Sequence, residues 1–366
     1  MRFPLLLLLA FGACDSPPAT PAAPAAAPKV AAAGPAPSAV SAPAGNDDAG
    51  VVASWNGGSL NYGDAKKDID IQLLQMEGEY LSNRYDAEMN AVDEKVNHAV
   101  AQLEATKRGV SLEDLMKKEI DDKVSAPTEA EVQDAYKQLA RKFRGRPLEE
   151  VRPDVEKAVT QKKQGERYAV FMDDLRAQYG VNVTLPFPNM PRIPVSVDDD
   201  PSEGDPNAAV TIIQFAEFQC PYCGAANTTV QKVLKDYDGK VRFVFRDFPL
   251  GFHENAIPAA VAANCAAQQS MDKYWKFHDS FMQNQQALTE ADIQKAAQDA
   301  LVNTEKWEAC RKDPAVKDEI RKDQADGAAV GVTGTPAFFI DGIFLNGAQP
   351  YEKFKMIIDA ELAKKG

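Results

Sequence analysis

Histidine is scarce in this chain, with three among 366 residues, at positions 98, 253 and 278. No His-x-x-x-His pair and no second Cys-x-x-Cys occurs. The ligand spacings of a closed zinc site are therefore missing, and no metal or other cofactor is expected. Long apolar runs are lacking too. Leu5 to Phe11 falls far below the roughly 20 residues of a membrane span, and no other stretch is long and apolar enough to cross a bilayer. Basic residues are outnumbered, 41 Lys and Arg against 54 Asp and Glu, for a net charge of −13. That balance argues against nucleic-acid partners and against a polybasic membrane patch. Cysteine is sparse as well, with five residues, at 14, 220, 223, 265 and 310.

Two of the five stand together. Gln214 to Gly224 reads Gln-Phe-Ala-Glu-Phe-Gln-Cys-Pro-Tyr-Cys-Gly. The apolar run Val210 to Phe215 predicts a buried strand. Val230, Val233 and Leu234 predict a helix directly after the cysteines. In a strand, Cys-x-x-Cys, helix context the pair reads as redox rather than metal-binding. A thiolate at a helix N-terminus meets free N–H groups and the positive end of the dipole. Its pKa falls, so Cys220 is the expected nucleophile and Cys223 the resolving thiol. Pro221 suits the first helical turn, where its missing N–H is not needed. With Tyr222 it sets the redox poise. Half a zinc site or a structural disulfide is the bland alternative.

Far downstream lies Gly331-Val-Thr-Gly-Thr-Pro-Ala-Phe-Phe-Ile340. Pro336 is expected at the start of a strand, Ala337 to Ile340, because proline cannot sit inside a central one. The pairing of Cys220-Pro-Tyr-Cys223 with Thr335-Pro336 resembles the thioredoxin superfamily, in its DsbA-like branch, over about residues 191 to 366. The resemblance implies an α/β thioredoxin fold with a helical insertion. It implies that Pro336 is cis and faces the cysteines, leaving backbone groups free for a substrate chain, with Thr335 and Pro336 as the substrate-binding residues. The implied activity is thiol–disulfide exchange on unfolded or reduced exported proteins, with a membrane or periplasmic redox partner. Two departures bear on that activity. Strongly oxidising members carry His between the cysteines, where this chain has Tyr222. Relatives usually place a buried acid six residues before the first cysteine, where Gln214 stands and cannot accept a proton. Glu217, three residues before, is expected to be a solvated charge, and His253 and His278 to pack and cap. Oxidase is the first expectation, with isomerase or reductase close behind. A holdase with a vestigial pair and a disulfide-stapled scaffold are further alternatives.

The start of the chain reads as targeting. Residues 1–13 are a signal peptide, with Arg2 as a minimal charged region. Phe-Gly-Ala-Cys14 resembles a bacterial lipobox, with Phe11 where Leu is usual. It implies lipidation of Cys14 and anchoring to a bacterial membrane in the periplasm. An incidental Cys after an ordinary signal is the alternative. Residues 14–50 carry that Cys and then almost only Ala, Pro, Ser and Gly, the composition of a disordered tether.

Residues 51–185 are expected to be mostly α-helical. Val51 to Gly58 predicts a short strand and turn. Stripes follow at helical spacing: Ile69, Leu73, Met76 and Tyr80; Val92, Val96, Ala99, Val100 and Leu103; Val132, Tyr136, Leu139 and Phe143; then Val155, Val159, Tyr168, Phe171, Leu175 and Tyr179. These stripes are expected to be core. Ser111-x-x-Asp114 and Thr128-x-x-Glu131 predict helix caps. Loose motifs here, Trp55-Asn-Gly-Gly58 and Arg146-Pro-Leu-Glu-Glu-Val151 among them, resemble the chaperone-like N-terminal domain of SurA-type periplasmic proteins. Residues 186–205 read as a linker and 206–366 as the redox domain, with a first strand proposed from 192. Within it, two helices and two further helical segments through Asp326 precede Thr335-Pro336.

Cys265 and Cys310 fall in that insertion. An oxidising compartment disfavours free thiols beside a disulfide exchanger. Some DsbA-like relatives tie the insertion with a disulfide, and the resemblance implies the same pairing here, worth about 4 kcal/mol through loop closure. Two buried free cysteines acting as small apolar residues are the alternative.

Overall fold

The structure is a computed structural model that describes residues 50–140 and 142–365. The expected signal peptide, Cys14 and nearly all of the tether lie outside the described residues. Residues up to Asp70 and residues from Ile71 onward separate as two compact units. The first holds the hairpin β1 (Val51–Trp55) and β2 (Gly58–Asn61), then α1 (Tyr62–Lys66), capped by the Asn61 side chain. The second holds nearly everything else.

A long helix, α2 (Asp70–Arg108), leads into α3 (Leu112–Glu119), α4 (Glu129–Leu139) and α5 (Leu148–Gln178). The Ser111 hydroxyl accepts from Asp114 N–H, and Thr128 with Glu131 forms a reciprocal capping box. The last parts of α2 and α5 enclose Val100, Ala105, Leu115, Phe171 and Leu175, while α4 and the first part of α5 enclose Val132, Phe143, Val151 and Val155.

The stripe Leu73, Met76, Tyr80 is not core. Those side chains are exposed, as are Ile69 and Leu103. The face that packs carries Ile71 and Leu74, which join the core on one side of the redox sheet. Gln75 Nε2 donates to the carbonyls of Val330 and Gly331. The compact unit therefore begins at Ile71, because the first half of α2 packs on the sheet rather than within a separate helical body.

The sheet has five strands: β3 (Ser202–Gly204), β4 (Val210–Ala216), β5 (Val241–Asp247), β6 (Ala337–Ile340) and β7 (Ile343–Asn346). Their order is β3-β5-β4-β6-β7, with β4 and β5 parallel and the other pairs antiparallel. The sheet's first strand is Ser202–Gly204, not a strand from 192. Ile193 instead makes one backbone bond to Gly342 O and inserts its side chain, with Val195 and Val197, into the core. Alternation along the strands builds two cores. Ile212, Phe243, Phe338 and Ile340 face α6 (Pro221–Asp236) and α12 (Tyr351–Lys365), while Ile213, Phe215, Val244 and Phe339 face the other side.

Between β5 and β6 lies the insertion: α7 (Ala256–Ala267), α8 (Met271–Gln283), α9 (Glu290–Asp299), α10 (Thr304–Arg311) and α11 (Pro314–Ala329). The segment after α8 holds three helices where two were expected. A disulfide joins Cys265 on α7 to Cys310 on α10, with Cα atoms 5.7 Å apart. Beside it the Trp307 indole donates to Ala262 O, 2.9 Å away.

A buried ion cluster fixes α11 to the end of β5. Arg246 is 1% exposed and bonds Asp323 and Asp326, with Asp200 2.7 Å from its Nε. Three carboxylates here, Asp198, Asp200 and Asp323, are grouped closely enough to surround a cation. The guanidinium already supplies that positive charge.

Candidate active site

β4 delivers the chain to Cys220, which is the N-cap of α6, and Pro221 occupies the first helical position. The N–H groups of Cys223 and Gly224 donate to Cys220 O. Both cysteines are free thiols, and both are buried. The Thr335–Pro336 bond is cis, and Cys220 Sγ lies 3.4 Å from Thr335 O. The fold thus brings Cys220, Cys223, Pro221, Thr335 and Pro336 together across 115 residues of sequence. Tyr222 turns outward and is 67% exposed. Cys265 and Cys310 belong to the insertion.

The two thiols differ sharply. Cys220 is held down at about 5: the hydrogen bond from Cys223 contributes most, burial opposes it, and Thr335 with the N–H groups of Cys223 and Tyr222 adds to the stabilisation. Burial pushes the Cys223 thiol well above its ordinary value, reinforced by its neighbour Cys220. The Thr335 hydroxyl is buried without a partner at hydrogen-bond geometry, yet lies close enough to both sulfurs to favour their thiolates. A thiolate at Cys220 and a neutral thiol at Cys223 is the division of labour that exchange requires.

Glu217 is not a solvated charge. It is fully buried, accepts from Gln219 N–H at 2.6 Å, and bonds His253 Nδ1. Burial raises its pKa, with His253 and Gln219 N–H opposing and the charge on Cys220 adding to the rise. Its main-chain N–H faces the Cys223 sulfur. Gln214 is buried in β4. His253 therefore does more than pack or cap, because it holds the one carboxylate of the Cys220 segment. His278 does pack, among Phe218, Phe245 and Trp275.

Other supports escaped the sequence reading. Gln285, just after α8, donates to the carbonyls of Phe218 (3.1 Å) and Cys220 (2.6 Å). A Cβ at Gly224 would push that amide aside, so a side chain there would loosen its hold on the two carbonyls. Gln219 Oε1 accepts from Asn255 N–H, which with His253 ties the loop after β5 to the cysteine turn. Phe252, in that loop, is 75% exposed and lies edge-on to His253. Nothing in the local pattern marks Gln285, since a lone Gln in a loop carries no signal.

A central mixed sheet with a Cys-x-x-Cys at a helix start, opposite a cis proline, defines a thioredoxin-type redox fold. The family model described as thioredoxin matches residues 196–360. The probable disulfide bond formation protein D of Bacillus anthracis is 31% identical over 177 residues, 44% of this chain and 78% of its own length. The chain belongs to the DsbA-like branch of the thioredoxin superfamily. It also matches the Na(+)/H(+) antiporter NhaA 3 of Salinispora tropica, at 35% identity over 151 residues, 41% of this chain and 23% of that protein. The chain thus spans about a quarter of the length of the first curated relatives it matches. Among solved structures, a thioredoxin-like oxidoreductase from Silicibacter pomeroyi is 30% identical, covering 46% of this chain and 94% of its own, with a TM-score of 0.42. BdbD from Bacillus subtilis is 23% identical, covering 47% and 96%, with a TM-score of 0.43.

Proposed function

We propose that the chain is an exported thiol–disulfide oxidoreductase that oxidises thiol pairs in unfolded polypeptides. The supporting observation is the split between a stabilised Cys220 thiolate and a protonated, buried Cys223. In the oxidised protein a substrate thiolate attacks Cys220 Sγ, the Cys220–Cys223 bond breaks, and Cys223 leaves and takes up a proton. A second substrate thiolate then attacks the substrate sulfur of the mixed disulfide and expels Cys220. Two electrons pass to the pair, and a membrane or periplasmic redox partner removes them. A thiol held near 5 is a good leaving group, which favours release of oxidised substrate. Glu217, buried three residues before Cys220 and bonded to His253, takes the place of the acid that Gln214 lacks. Thr335 and Pro336 border the sulfur and are the proposed substrate contacts. Isomerase or reductase is the second reading, favoured by Tyr222 between the cysteines.

Trapping tests the assignment. Cys220→Ser abolishes exchange, whereas Cys223→Ser accumulates mixed disulfides on Cys220, seen by mass spectrometry. Adducts on Cys223 of Cys220→Ser, with none on Cys220 of the other variant, would reverse the roles.

The proposal extends to location and to the helical half. The Ala- and Pro-rich stretch up to residue 50 tethers the protein to a bacterial membrane through acylated Cys14. The SurA-like helices serve as a chaperone-like arm that holds unfolded substrate. Cys14→Ala is expected in the soluble fraction or unprocessed. A variant that is processed and still stays with membranes as the unaltered protein does would sink the anchor.

A further inference from the structure

A groove of about 520 Å³ runs between the first half of α2 and β7. All four residues of β7 line it, Phe187 and Met190 contribute apolar surface, and Gln72, Met76 and Asn83 of α2 form the opposite wall. β7 is the last strand of the sheet and pairs only with β6. No backbone partner occupies its outer edge among the described residues.

We propose that this groove takes an extended segment of the unfolded polypeptide substrate, added to β7 as a further strand. The inference deepens the functional reading above, since the occupant is the chain whose thiols react at Cys220. Chemistry selects an extended peptide. A free strand edge presents a row of N–H and C=O groups, and strand addition is how such edges bind chains. The amides of Gln72 and Asn83 suit a peptide backbone, while Met76, Phe187 and Met190 accept apolar side chains. The volume lies in the usual range for binding clefts.

Register ties the groove to the redox pair. Asn346, at the end of β7, stands opposite Ala337. Ala337 follows Pro336, and Thr335 O lies 3.4 Å from Cys220 Sγ. Four extended residues span about 13 Å. One polypeptide can therefore lie along β7 and present a cysteine beyond its end. A second folded copy fits poorly, because α2 lines the same edge and pairing two such edges would bring the two helices together.

The test uses S-carboxymethylated ribonuclease A, which is unfolded and has no thiols, so binding does not depend on exchange. Met76 and Asn83 are exposed, and Arg at either narrows the groove without touching the core. Met76→Arg and Asn83→Arg are each expected to weaken binding about tenfold. Leu301→Arg, in an exposed turn after α9 that neither lines the groove nor belongs to the helical arm, leaves it unchanged. The photo-crosslinking variant Met76→p-benzoylphenylalanine is expected to label the ribonuclease chain. Equal affinity in all variants, equal weakening by Leu301→Arg, or cross-links confined to the protein's own chain or to a second copy would overturn the proposal. Failure of the redox reading shows separately, as absence of exchange with dithiothreitol.

Discussion

Two sulfur atoms three positions apart in a motif sit in unlike surroundings. Cys220 caps a helix and gathers the Cys223 thiol, two N–H groups and Thr335, while Cys223 is sealed by burial. The rate of alkylation by iodoacetamide in the reduced protein should therefore climb with pH through a midpoint near 5. The sign follows from ionisation: only the thiolate reacts, and it forms above the folded pKa. Cys223 should contribute no second step below its ordinary thiol range. A single midpoint near 9 would contradict this picture. The identity of this pair was legible because both cysteines, Pro221 and the strand before them are local signals. Glu217 was not. Its buried carboxylate meets His253, 36 positions away, through the loop after β5. Gln285 was hidden for the same reason, acting through backbone carbonyls rather than through any motif.

At the scale of elements, the end of β5 and α11 share a cluster of buried acids. Asp247 is raised to about 7 by burial first and then by Asp323, with Asn264 opposing, while its Oδ1 lacks a partner. Asp200 is raised to about 9, by burial and then Asp323, with Arg246 opposing. Both groups keep protons in the folded state that the unfolded chain releases near its ordinary value of 3.8. Folded protein therefore binds more protons across that window, and stability falls as pH rises from about 4 to about 9. The test belongs in the oxidised protein, where Cys220 does not titrate. Its urea midpoint should drop from about pH 5 to about pH 9, and Asp247→Asn should flatten the lower half of the drop. A midpoint that rises with pH, or an unchanged slope in the variant, would count against the cluster. Strands β4, β5, β6 and β7 were readable from apolar runs, and so were the caps at Ser111 and Thr128. The edge strand β3 was not, because Ser202-Glu203-Gly204 has no strand composition and exists only through pairing with β5. The stripe Leu73, Met76, Tyr80 misled because apolar spacing marks a helix without saying which face meets a partner. Gln75 and Ile71 were decided by what lies across from them.

For the molecule as a whole, the sheet and its two cores place Cys220, the cis proline and the groove beside β7 in one unit, from Ile71 onward. The redox half was legible because a short motif fixes its topology. The boundary with the helical half was not, since α2 belongs by sequence to one and by packing to the other. The account's central claim is that Cys220 and Cys223 form an oxidising couple, and its reduction potential tests that claim most directly. A nucleophile near 5 falls between thioredoxin's of about 7 and the value near 3.5 of the strongest oxidant in the superfamily. Equilibration against glutathione, read by mass spectrometry, should accordingly give a potential between about −120 and −230 mV. A value at or below about −270 mV would mark a reductase and contradict the account, as would a pair that fails to exchange with glutathione at all.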